Sequence, residues 1–508
     1  MSIDPTKIQI QATRNPLLDN DQSFQELMGD QLKHAPWLFL SILIHLVAIA
    51  IIWLIPAERV IQPDKKIEMA KVKEETPPEE EPPPPPEPEK EEVKEEVVLQ
   101  DNEVVEVTET VTEEFSDVTD TKESAFDSTA WNSAVGLGGG AGGKTGGRRG
   151  GRGSLGARGG RATAQAIEAG LEWLKNHQDE DGKWDSDGFM KHDTQGTPCT
   201  GPGNPVHDVG LTGLALLAFL GDGSTLRAGP YKDVVKKAVN WLRLQQDPNT
   251  GLFGTASSHD FIYNHMIAAY AMVEAYGLSD YLLLKPIAQK GINYLEAHRN
   301  PYKVWRYQPR DNDNDSSVTG WGVMVYKSGQ DFKLDVSTQA LKMIEAWFDE
   351  VTDPLTGRAG YSKRGEPSSR HVGDHMTRFP VEKGEALTAV GLMSRFFLGQ
   401  DPKQVQVMRA AADTMLKRPP VWNDKDGSLD FYYWYYATYA LYQFGGTHWS
   451  TWEKALTTAV VKNQRTDGNF KGSWDPIDAW GEDGGRVYAT ALNVLTLEAY
   501  YRYSKLIR

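Results

Sequence analysis

Two kinds of apolar pattern alternate along the C-terminal two thirds of the chain. In the first, apolar residues recur at i, i+3, i+4 and i+7, as in AQAIEAGLEWLKNHQ and VVKKAVNWLRLQQ. This spacing predicts an amphipathic helix with one face in the core. In the second, as in FIYNHMIAAYAMVEAYG and DFYYWYYATYALYQFGG, apolar residues cover nearly the whole circumference. A helix without a polar face is predicted to be buried on all sides.

Six copies of each pattern fit between residues 163 and 508. The amphipathic copies end near Gln178, Gln246, Arg299 and Gln464, and the last, long interval contains two more, VSTQALKMIEAWFDEV and VQVMRAAADTMLKR. Helix pairs that cannot bury themselves singly favour closure into a ring. The sequence therefore predicts an all-α fold, an (α/α)6 toroid of six helix-pair repeats with outer amphipathic and inner apolar helices. An open superhelical solenoid is the alternative, and the fully apolar inner helices argue against its exposed concave face.

A short motif follows the first and the last amphipathic helix, QDEDGKW in one case and QRTDGNFKGSW in the other. Asp and Gly supply turn chemistry, a helix-terminal glutamine can satisfy unpaired carbonyls, and a tryptophan can pack over the turn. We interpret both motifs as clips that join neighbouring repeats, with a structural and not a chemical role. The residues assigned to the clips are Gln178, Asp181, Gly182, Trp184, Gln464, Asp467, Gly468 and Trp474.

The residues before the toroid divide into four segments by composition. Residues 1–36 are polar, and residues 37–55 carry no formal charge and are long enough to cross a bilayer as one helix. Residues 56–135 are acidic and rich in proline and glutamate, which predicts a disordered linker. Residues 136–162 form a Gly/Arg-rich hinge, and the toroid occupies 163–508.

Charge and cysteine content exclude several classes of function. The net charge is −16, and residues 56–135, with 24 acids and 8 bases, account for all of it. The toroid therefore has neither a strongly acidic surface nor the basic face expected of a nucleic-acid-binding protein. Cys199 is the sole cysteine, which excludes an internal disulfide and a multi-cysteine zinc site.

The clip motifs resemble the glutamine–tryptophan repeats of squalene–hopene cyclases and prenyltransferase β-subunits. The stretches SVTGWGVMVYKSG, GSWDP and GGRVYATALNVLTLEAYYRY are similar to a bacterial group of membrane-anchored prenyltransferase/squalene-oxidase-repeat proteins. The resemblance covers about residues 163–508 and implies the toroid fold. It attaches no established reaction to the chain.

Two enzymatic motifs implied by the resemblance match only in part. Class II terpene cyclases protonate an alkene with the middle Asp of an Asp-x-Asp-Asp motif, and DNDND resembles it through Asp313 and Asp315, with Asn314 in the last position. A polar turn that caps the following helix is the alternative interpretation. Prenyltransferases bind zinc with an Asp two residues before a Cys, and Thr197 occupies that place before Cys199. No such zinc site is predicted.

Polar residues cluster where the predicted inner helices begin. In a toroid these helix starts converge on one end of the central cavity. Capping explains each residue singly, but two His-Asp pairs could also bind a metal or exchange protons. We predict no cofactor and leave open a metal at these pairs. The cavity candidates are His207, Asp208, His259, Asp260, His265, Glu382, Asp430 and Arg486.

The apolar segment carries a signal of its own. Ser41 and His45 are four residues apart and so share one helix face. This pair, with the linker that follows, resembles the anchor of TonB-type energy transducers. The resemblance implies a single-pass inner-membrane protein with a periplasmic toroid and a proton-channel motor complex as partner. The excess of Lys and Arg after the segment favours the opposite orientation, and our prediction follows the resemblance.

Two classes of function remain open. In the first, a membrane-tethered toroid is a scaffold that binds a ligand or an unknown protein partner. In the second, the toroid is an enzyme that acts on a terpenoid or a polysaccharide with the polar end of its cavity. Whether the cavity is open, and lined by the His-Asp pairs, discriminates between a binding site and a filled core.

Overall fold

The computed structural model describes His45, Leu46, residues 160–371 and residues 373–499. His45 and Leu46 are helical and exposed, and the rest of the predicted membrane segment 37–55, including Ser41, lies outside the described residues. The same holds for the predicted linker 56–135 and for all but the end of the hinge. Within the described part of the chain, no helix is both long and apolar enough to cross a membrane. All other described residues belong to the C-terminal unit, Val97–Arg508.

Thirteen α-helices make up the described part of this unit, and the same residues contain no β-strand beyond two isolated bridges. The helices are α1 Arg161–Asn176, α2 Asp208–Gly221, α3 Lys232–Leu244, α4 Phe261–Ser279, α5 Lys285–His298, α6 Ser316–Asp331, α7 Thr338–Val351, α8 Asp374–Arg378, α9 Ala386–Phe397, α10 Gln406–Leu416, α11 Phe431–Phe444, α12 Gly446–Val461 and α13 Gly481–Leu497.

The helices form two concentric layers. The inner helices contact one another in the order α2, α4, α6, α9, α11, α13 and back to α2, so that their ring is closed. The outer helices α1, α3, α5, α7, α10 and α12 pack on them, and α12 contacts α1. The short α8 lies in the connection between α7 and α9. The predicted all-α toroid of six helix pairs is confirmed.

Burial follows the two apolar patterns of the sequence. In α2 every residue from Gly210 to Gly221 is buried, because leucine, alanine and phenylalanine occupy all sides of the helix. In α3 burial is restricted to one stripe, which runs from Val234 to Leu242 at helical spacing. The apolar stripe of an outer helix therefore faces the inner ring while its polar side remains in solvent.

Glutamine and tryptophan side chains join successive repeats. The Gln178 amide donates to the carbonyl of Val234 in the next outer helix at 3.0 Å. The Trp184 indole N–H donates at 2.7 Å to the carbonyl of Leu174, which lies near the C-terminal end of α1. The sequence analysis expected the glutamine to hydrogen-bond to the carbonyls at the end of the helix. In the structure the tryptophan makes this hydrogen bond. The glutamine instead reaches the neighbouring repeat.

The same contacts close the ring between its last and first repeats. The Gln464 amide donates at 2.8 Å to the carbonyl of Ala166 in α1, almost three hundred residues earlier in the chain. The Trp474 indole donates at 2.8 Å to Val460, at the end of α12. The sixth outer helix is thus fastened to the first by the same kind of bond that Gln178 makes to the second outer helix.

Glycine is required in each clip where the turn touches the next outer helix. Gly182 has φ +105°, and a Cβ there would lie 2.2 Å from the Lys237 carbonyl oxygen. In the last clip this place is taken by Gly472, with φ +98° and the Ala169 carbonyl oxygen 2.1 Å from the built Cβ. Gly468, the glycine assigned from the sequence, has open space around it. Asp181 and Asp467 are exposed on the same turns.

A candidate ligand cavity at one end of the toroid

A cavity of about 450 Å³ lies inside the inner ring. Its helical lining residues come from the first turns of the inner helices, for example Gly210 to Leu214 in α2 and Tyr263 to Ile267 in α4. Farther along the same helices, large side chains such as Tyr270 and Tyr326 are fully buried. The cavity therefore occupies only the end of the toroid where the inner helices begin.

Apolar and aromatic side chains form most of the cavity wall. Aliphatic residues lie among aromatic rings, and Trp321 stacks on Tyr435 with ring centroids 6.1 Å apart. The polar lining residues come mainly from the helix starts and the loops before them. The apolar lining residues are Leu211, Leu214, Ile267, Ala386, Leu387 and Leu492, and the aromatic ones are Tyr263, Tyr307, Trp321, Tyr361, Tyr432, Trp480 and Tyr488.

Two histidines and two aspartates, here named the mouth cluster, form a polar patch in this lining: His207, Asp260, His371 and Asp483. His207 Nε2 lies 3.6 Å from Asp260 Oδ2. His371 Nε2 lies 2.8 Å from Asp483 Oδ2, within hydrogen-bond distance. Both histidines and both carboxylates are lining residues, so each can contact a molecule in the cavity.

The His371–Asp483 pair shifts the protonation of both partners. The hydrogen bond with Asp483 raises the pKa of His371, and the charges of Asp483 and Asp260 add to the effect, against an opposing contribution from burial. Burial alone would raise the pKa of Asp483, but the hydrogen bond and the charge of His371 lower it overall. Protonated His371 beside ionised Asp483 is therefore favoured, which gives the cavity a proton donor.

Helix capping does not account for Asp260. It occupies the N-cap position of α4, but its side chain makes no capping hydrogen bond. Two other predicted residues are caps: Asp315 Oδ1 accepts from the Val318 N–H at 2.7 Å, and Asp430 Oδ1 accepts from the Tyr433 N–H at 2.8 Å. The neighbouring His259 also lines the cavity, with its ring 4.4 Å from that of Tyr307.

Asp208 faces away from the cavity although it follows His207 directly. Its Oδ2 pairs with Lys183 Nζ at 2.9 Å, and its Oδ1 accepts from the Ser186 N–H at 2.9 Å. Asp208 thus fastens the clip of the first repeat to α2. The sequence placed it with His207, Asp260 and His259, and the structure separates it from them.

His265 lies behind the cavity wall in a structural position. Its Nδ1 accepts from the Phe253 N–H at 3.0 Å, and its Nε2 lies 3.2 Å from the Gly291 carbonyl oxygen. Burial lowers the pKa of His265 to about 3, so the ring is neutral. In the first repeat, the equivalent contact is made by Thr212, whose hydroxyl accepts a hydrogen bond from the backbone N–H of Trp184.

The two aspartates of the cyclase-like motif differ in their surroundings. Asp313 is 68% exposed, lies outside the cavity lining and is paired with Arg306 at 3.4 Å. Asp315 is buried, and burial raises its pKa to about 7. Tyr361, which lines the cavity, donates its hydroxyl to Asp315 Oδ2 at 3.1 Å. Protonation of an alkene requires a strong acid that touches the substrate, and neither Asp313 nor Asp315 has both properties.

The remaining candidates, Asp430, Arg486 and Glu382, lie outside the cavity lining. Asp430 forms an ion pair with Arg370 at 2.7 Å, and both side chains are 1% exposed. Arg486 is buried and pairs with Asp475 at 2.6 Å. Glu382 lines a separate charged depression on the surface of the toroid. Of this group only Arg370, which the sequence analysis missed, belongs to the cavity lining.

His371 and Asp483 were also missed by the sequence analysis. His371 lies in the long connection between α7 and α9, and Asp483 lies in the first turn of α13, before the non-helical Gly485. The sequence shows a histidine-rich stretch, SSRHVGDH, in that connection. Its partner is more than a hundred residues away, so no local pattern could have joined the two.

Comparison with protein-family models gives no match, and neither does comparison with curated proteins. Solved structures do match. A type II terpene cyclase variant from Scytonema in complex with merosterolic acid A is 16% identical, with 67% of this chain and 98% of the cyclase covered and a TM-score of 0.42. An inactive α-1,6-mannanase variant from Salegentibacter in complex with α-1,6-mannotriose is 12% identical. The match covers 66% of this chain and 98% of the mannanase, with a TM-score of 0.45. Cellobiose 2-epimerase from Bacillus thermoamylovorans is 13% identical. The match covers 66% of this chain and 97% of the epimerase, with a TM-score of 0.45.

Proposed function

We propose that the toroid binds a small, mainly apolar molecule with a polar end group, such as a terpenoid alcohol, in its central cavity. The observation that carries the proposal is an open cavity of about 450 Å³ with aliphatic and aromatic walls and a polar mouth cluster. Pockets of roughly 300–1,000 Å³ with apolar walls and a few convergent polar groups are typical of small-molecule sites.

The distribution of polar groups favours a terpenoid over a polysaccharide. A sugar presents hydroxyl groups along its whole length, and each buried hydroxyl needs a hydrogen-bond partner. The aliphatic lining residues of the inner helices, Leu214, Ile267 and Leu492, supply none, and the hydroxyls of Ser317 and Tyr432 are already hydrogen-bonded to each other. A molecule whose polar atoms are confined to one end places them at the mouth cluster and its hydrocarbon part against these walls.

Acid–base catalysis on the bound molecule is the second candidate. It is favoured by the His371–Asp483 pair, because a histidine with a raised pKa and a carboxylate partner can donate and recover a proton. In this case His371 would be the proton donor, and Asp483 would orient its ring and stabilise its charge.

We further propose that residues 37–55 tether the toroid to a bilayer, in a single-pass inner-membrane protein with a periplasmic toroid. An apolar ligand partitions into the membrane, so a tether would keep the cavity near its source. At about 3.1 Å per residue, the linker 56–135 would reach at most roughly 250 Å. Ser41 and His45 on one helix face support contact with a proton-channel motor complex as part of the same proposal.

Deletion of residues 37–55 is expected to release the protein from membranes. Cell fractionation of the full chain and of the deleted chain measures this, because the deletion removes the apolar stretch and leaves the linker and toroid intact. Full chains that partition into the soluble fraction as completely as deleted chains would contradict the tether.

Filling the cavity is expected to weaken ligand binding. Ile267 is a half-buried lining residue, and in Ile267→Trp an indole would take up space that a ligand needs. We expect farnesol, used as the probe, to bind the full-length protein and to bind this variant at least about tenfold more weakly, a difference of about 1.4 kcal/mol. Equilibrium binding of radiolabelled farnesol measures the effect.

Leu244→Trp is the matched control, because Leu244 is 70% exposed on an outer helix and is not a lining residue. Equal affinity of farnesol for both variants, or no binding to the unmodified chain, would refute the proposal. Preferential binding of mannotriose would instead support the polysaccharide alternative. Conversion of farnesol that is lost in His371→Gln while binding persists would favour catalysis over binding alone.

A further inference from the structure

Three potential metal ligands meet in the first repeat, outside the central cavity. His177 follows α1, and Asp193 and Cys199 lie in the connection between α1 and α2. One nitrogen, one carboxylate oxygen and the sulfur lie within 4.8 Å of one another. The His177 and Cys199 residues are each 4% exposed. Among the described residues, this is the one group of three or more His, Cys, Asp or Glu side chains that meets this distance.

The hydrogen bonds of His177 determine which ring nitrogen can bind a metal. Its Nδ1 lies 2.8 Å from the Trp173 carbonyl oxygen, which can only accept, so Nδ1 carries a proton. In the neutral ring, the lone pair is then on Nε2. This nitrogen lies 3.2 Å from Asp193 Oδ1. In metal sites, a histidine that binds the ion through one ring nitrogen usually donates its other ring N–H to a carboxylate or a backbone carbonyl, as His177 does here.

The contact between His177 and Asp193 requires a positive charge. An unprotonated Nε2 and a carboxylate oxygen repel each other at 3.2 Å unless a proton or a metal ion lies between them. A metal ion would satisfy both atoms without protonating the ring.

We propose that His177 Nε2, Asp193 and Cys199 Sγ bind one Zn²⁺ ion. One imidazole, one carboxylate and one thiolate form a mixed set suited to zinc, which takes four ligands in tetrahedral geometry. The fourth ligand would come from solvent. The site lies at the end of an outer helix, and none of its three residues lines the central cavity.

Zinc binding would also change the state of the thiol. Burial and the nearby Asp193 raise the pKa of Cys199 to about 12 in the metal-free protein, so the thiol stays protonated at neutral pH. Coordination requires the thiolate, so each zinc that binds releases the proton of this thiol. The Cys199 N–H already donates to Asp193 Oδ2 at 2.6 Å, which holds the two side chains next to each other.

The position of the site points to a structural role at the cavity. The segment that starts at Cys199 continues to His207 in the mouth cluster. On the way, Thr200 O accepts from Arg486 Nε at 2.7 Å, and Asn204 N–H donates to the Asp483 carbonyl oxygen at 2.8 Å. A zinc ion would fasten the start of this segment to α1 and so hold both histidine–aspartate pairs of the mouth cluster in register.

Cobalt substitution tests the proposal on the full-length protein. After removal of bound metal with a chelator, the protein is titrated with Co²⁺ under a non-thiol reductant. Thiolate coordination gives a sulfur-to-cobalt charge-transfer band in the near ultraviolet, and Cys199 is the sole cysteine that can produce it. We expect the band to saturate at about one Co²⁺ per chain and to disappear when Zn²⁺ displaces the cobalt.

Three variants locate the site. Cys199→Ser is expected to lose the band, and His177→Gln to weaken cobalt binding at least about tenfold, in line with the loss of one ligand. His192→Gln is the matched control, because His192 pairs with a different carboxylate, Asp179, at 2.7 Å. It should titrate like the unmodified chain. A folded, unmodified chain that shows no charge-transfer band with excess Co²⁺ would overturn the proposal whatever the variants do.

Discussion

Replacing Trp184 with alanine is expected to lower the free energy of unfolding by about 3–5 kcal/mol. The Trp184 side chain is fully buried, and its ring stacks on Phe219 with centroids 5.8 Å apart. The substitution would leave a cavity between α1 and α2 and would also leave the Leu174 carbonyl without its indole partner. Urea denaturation of the full-length protein, followed by far-ultraviolet circular dichroism, measures the loss.

Trp184→Phe separates the two contributions to this effect. Phenylalanine retains most of the buried ring but cannot donate to Leu174, so it should cost about 1–3 kcal/mol for the lost hydrogen bond and the smaller ring. A loss below about 1 kcal/mol for the alanine variant would show that Trp184 does not fasten the repeats. The corresponding tryptophan of the last repeat, Trp474, is buried with the same contact and should respond in the same way.

Replacing Arg370 with methionine is expected to lower the free energy of unfolding by about 3–5 kcal/mol. Arg370 and Asp430 form an ion pair at 2.7 Å with both side chains 1% exposed. Methionine retains the bulk of the arginine stem but leaves the Asp430 carboxylate buried without its counter-charge. The measurement is again the free energy of unfolding from urea denaturation.

Two variants test the origin of this loss. Arg378→Met removes an ion pair with Glu482 whose side chains are 54% and 73% exposed, and should cost at most about 1 kcal/mol. Adding Asp430→Asn to Arg370→Met should restore part of the stability, because a neutral amide can still accept from the Tyr433 N–H. A loss in Arg370→Met no larger than that in Arg378→Met would contradict the role assigned to the buried pair.

The fold could be predicted from the sequence because each helix carries its own burial pattern. Apolar residues cover the whole circumference of α4, which indicates an inner helix. In α3 they form a single stripe, which indicates an outer helix. The clip tryptophans are equally local, since Trp184 bonds to Leu174 only ten residues before it. Repetition of these short-range signals determines a closed two-layer ring.

The site could be predicted only in part because its partners are distant in the chain. The pairs His207-Asp208 and His259-Asp260 look alike in the sequence. In the structure Asp208 forms an ion pair with Lys183 outside the cavity, whereas Asp260 lines the cavity. Likewise, the residues next to Asp430 in the sequence do not indicate that it pairs with Arg370, sixty residues earlier. Which polar residue faces the cavity is decided by such long-range contacts and not by its position at a helix start.

The hydrogen bond from Gln464 to Ala166 has a consequence for synthesis on the ribosome. The first outer helix emerges early, but its neighbours in the finished ring, α12 and α13, are made last. Until they appear, α1 and α2 each have one apolar flank without a partner. Contacts between such distant parts of a chain slow folding, and partly folded chains with exposed apolar surface aggregate. We therefore expect the nascent toroid to be prone to aggregation until its last two helices have been made.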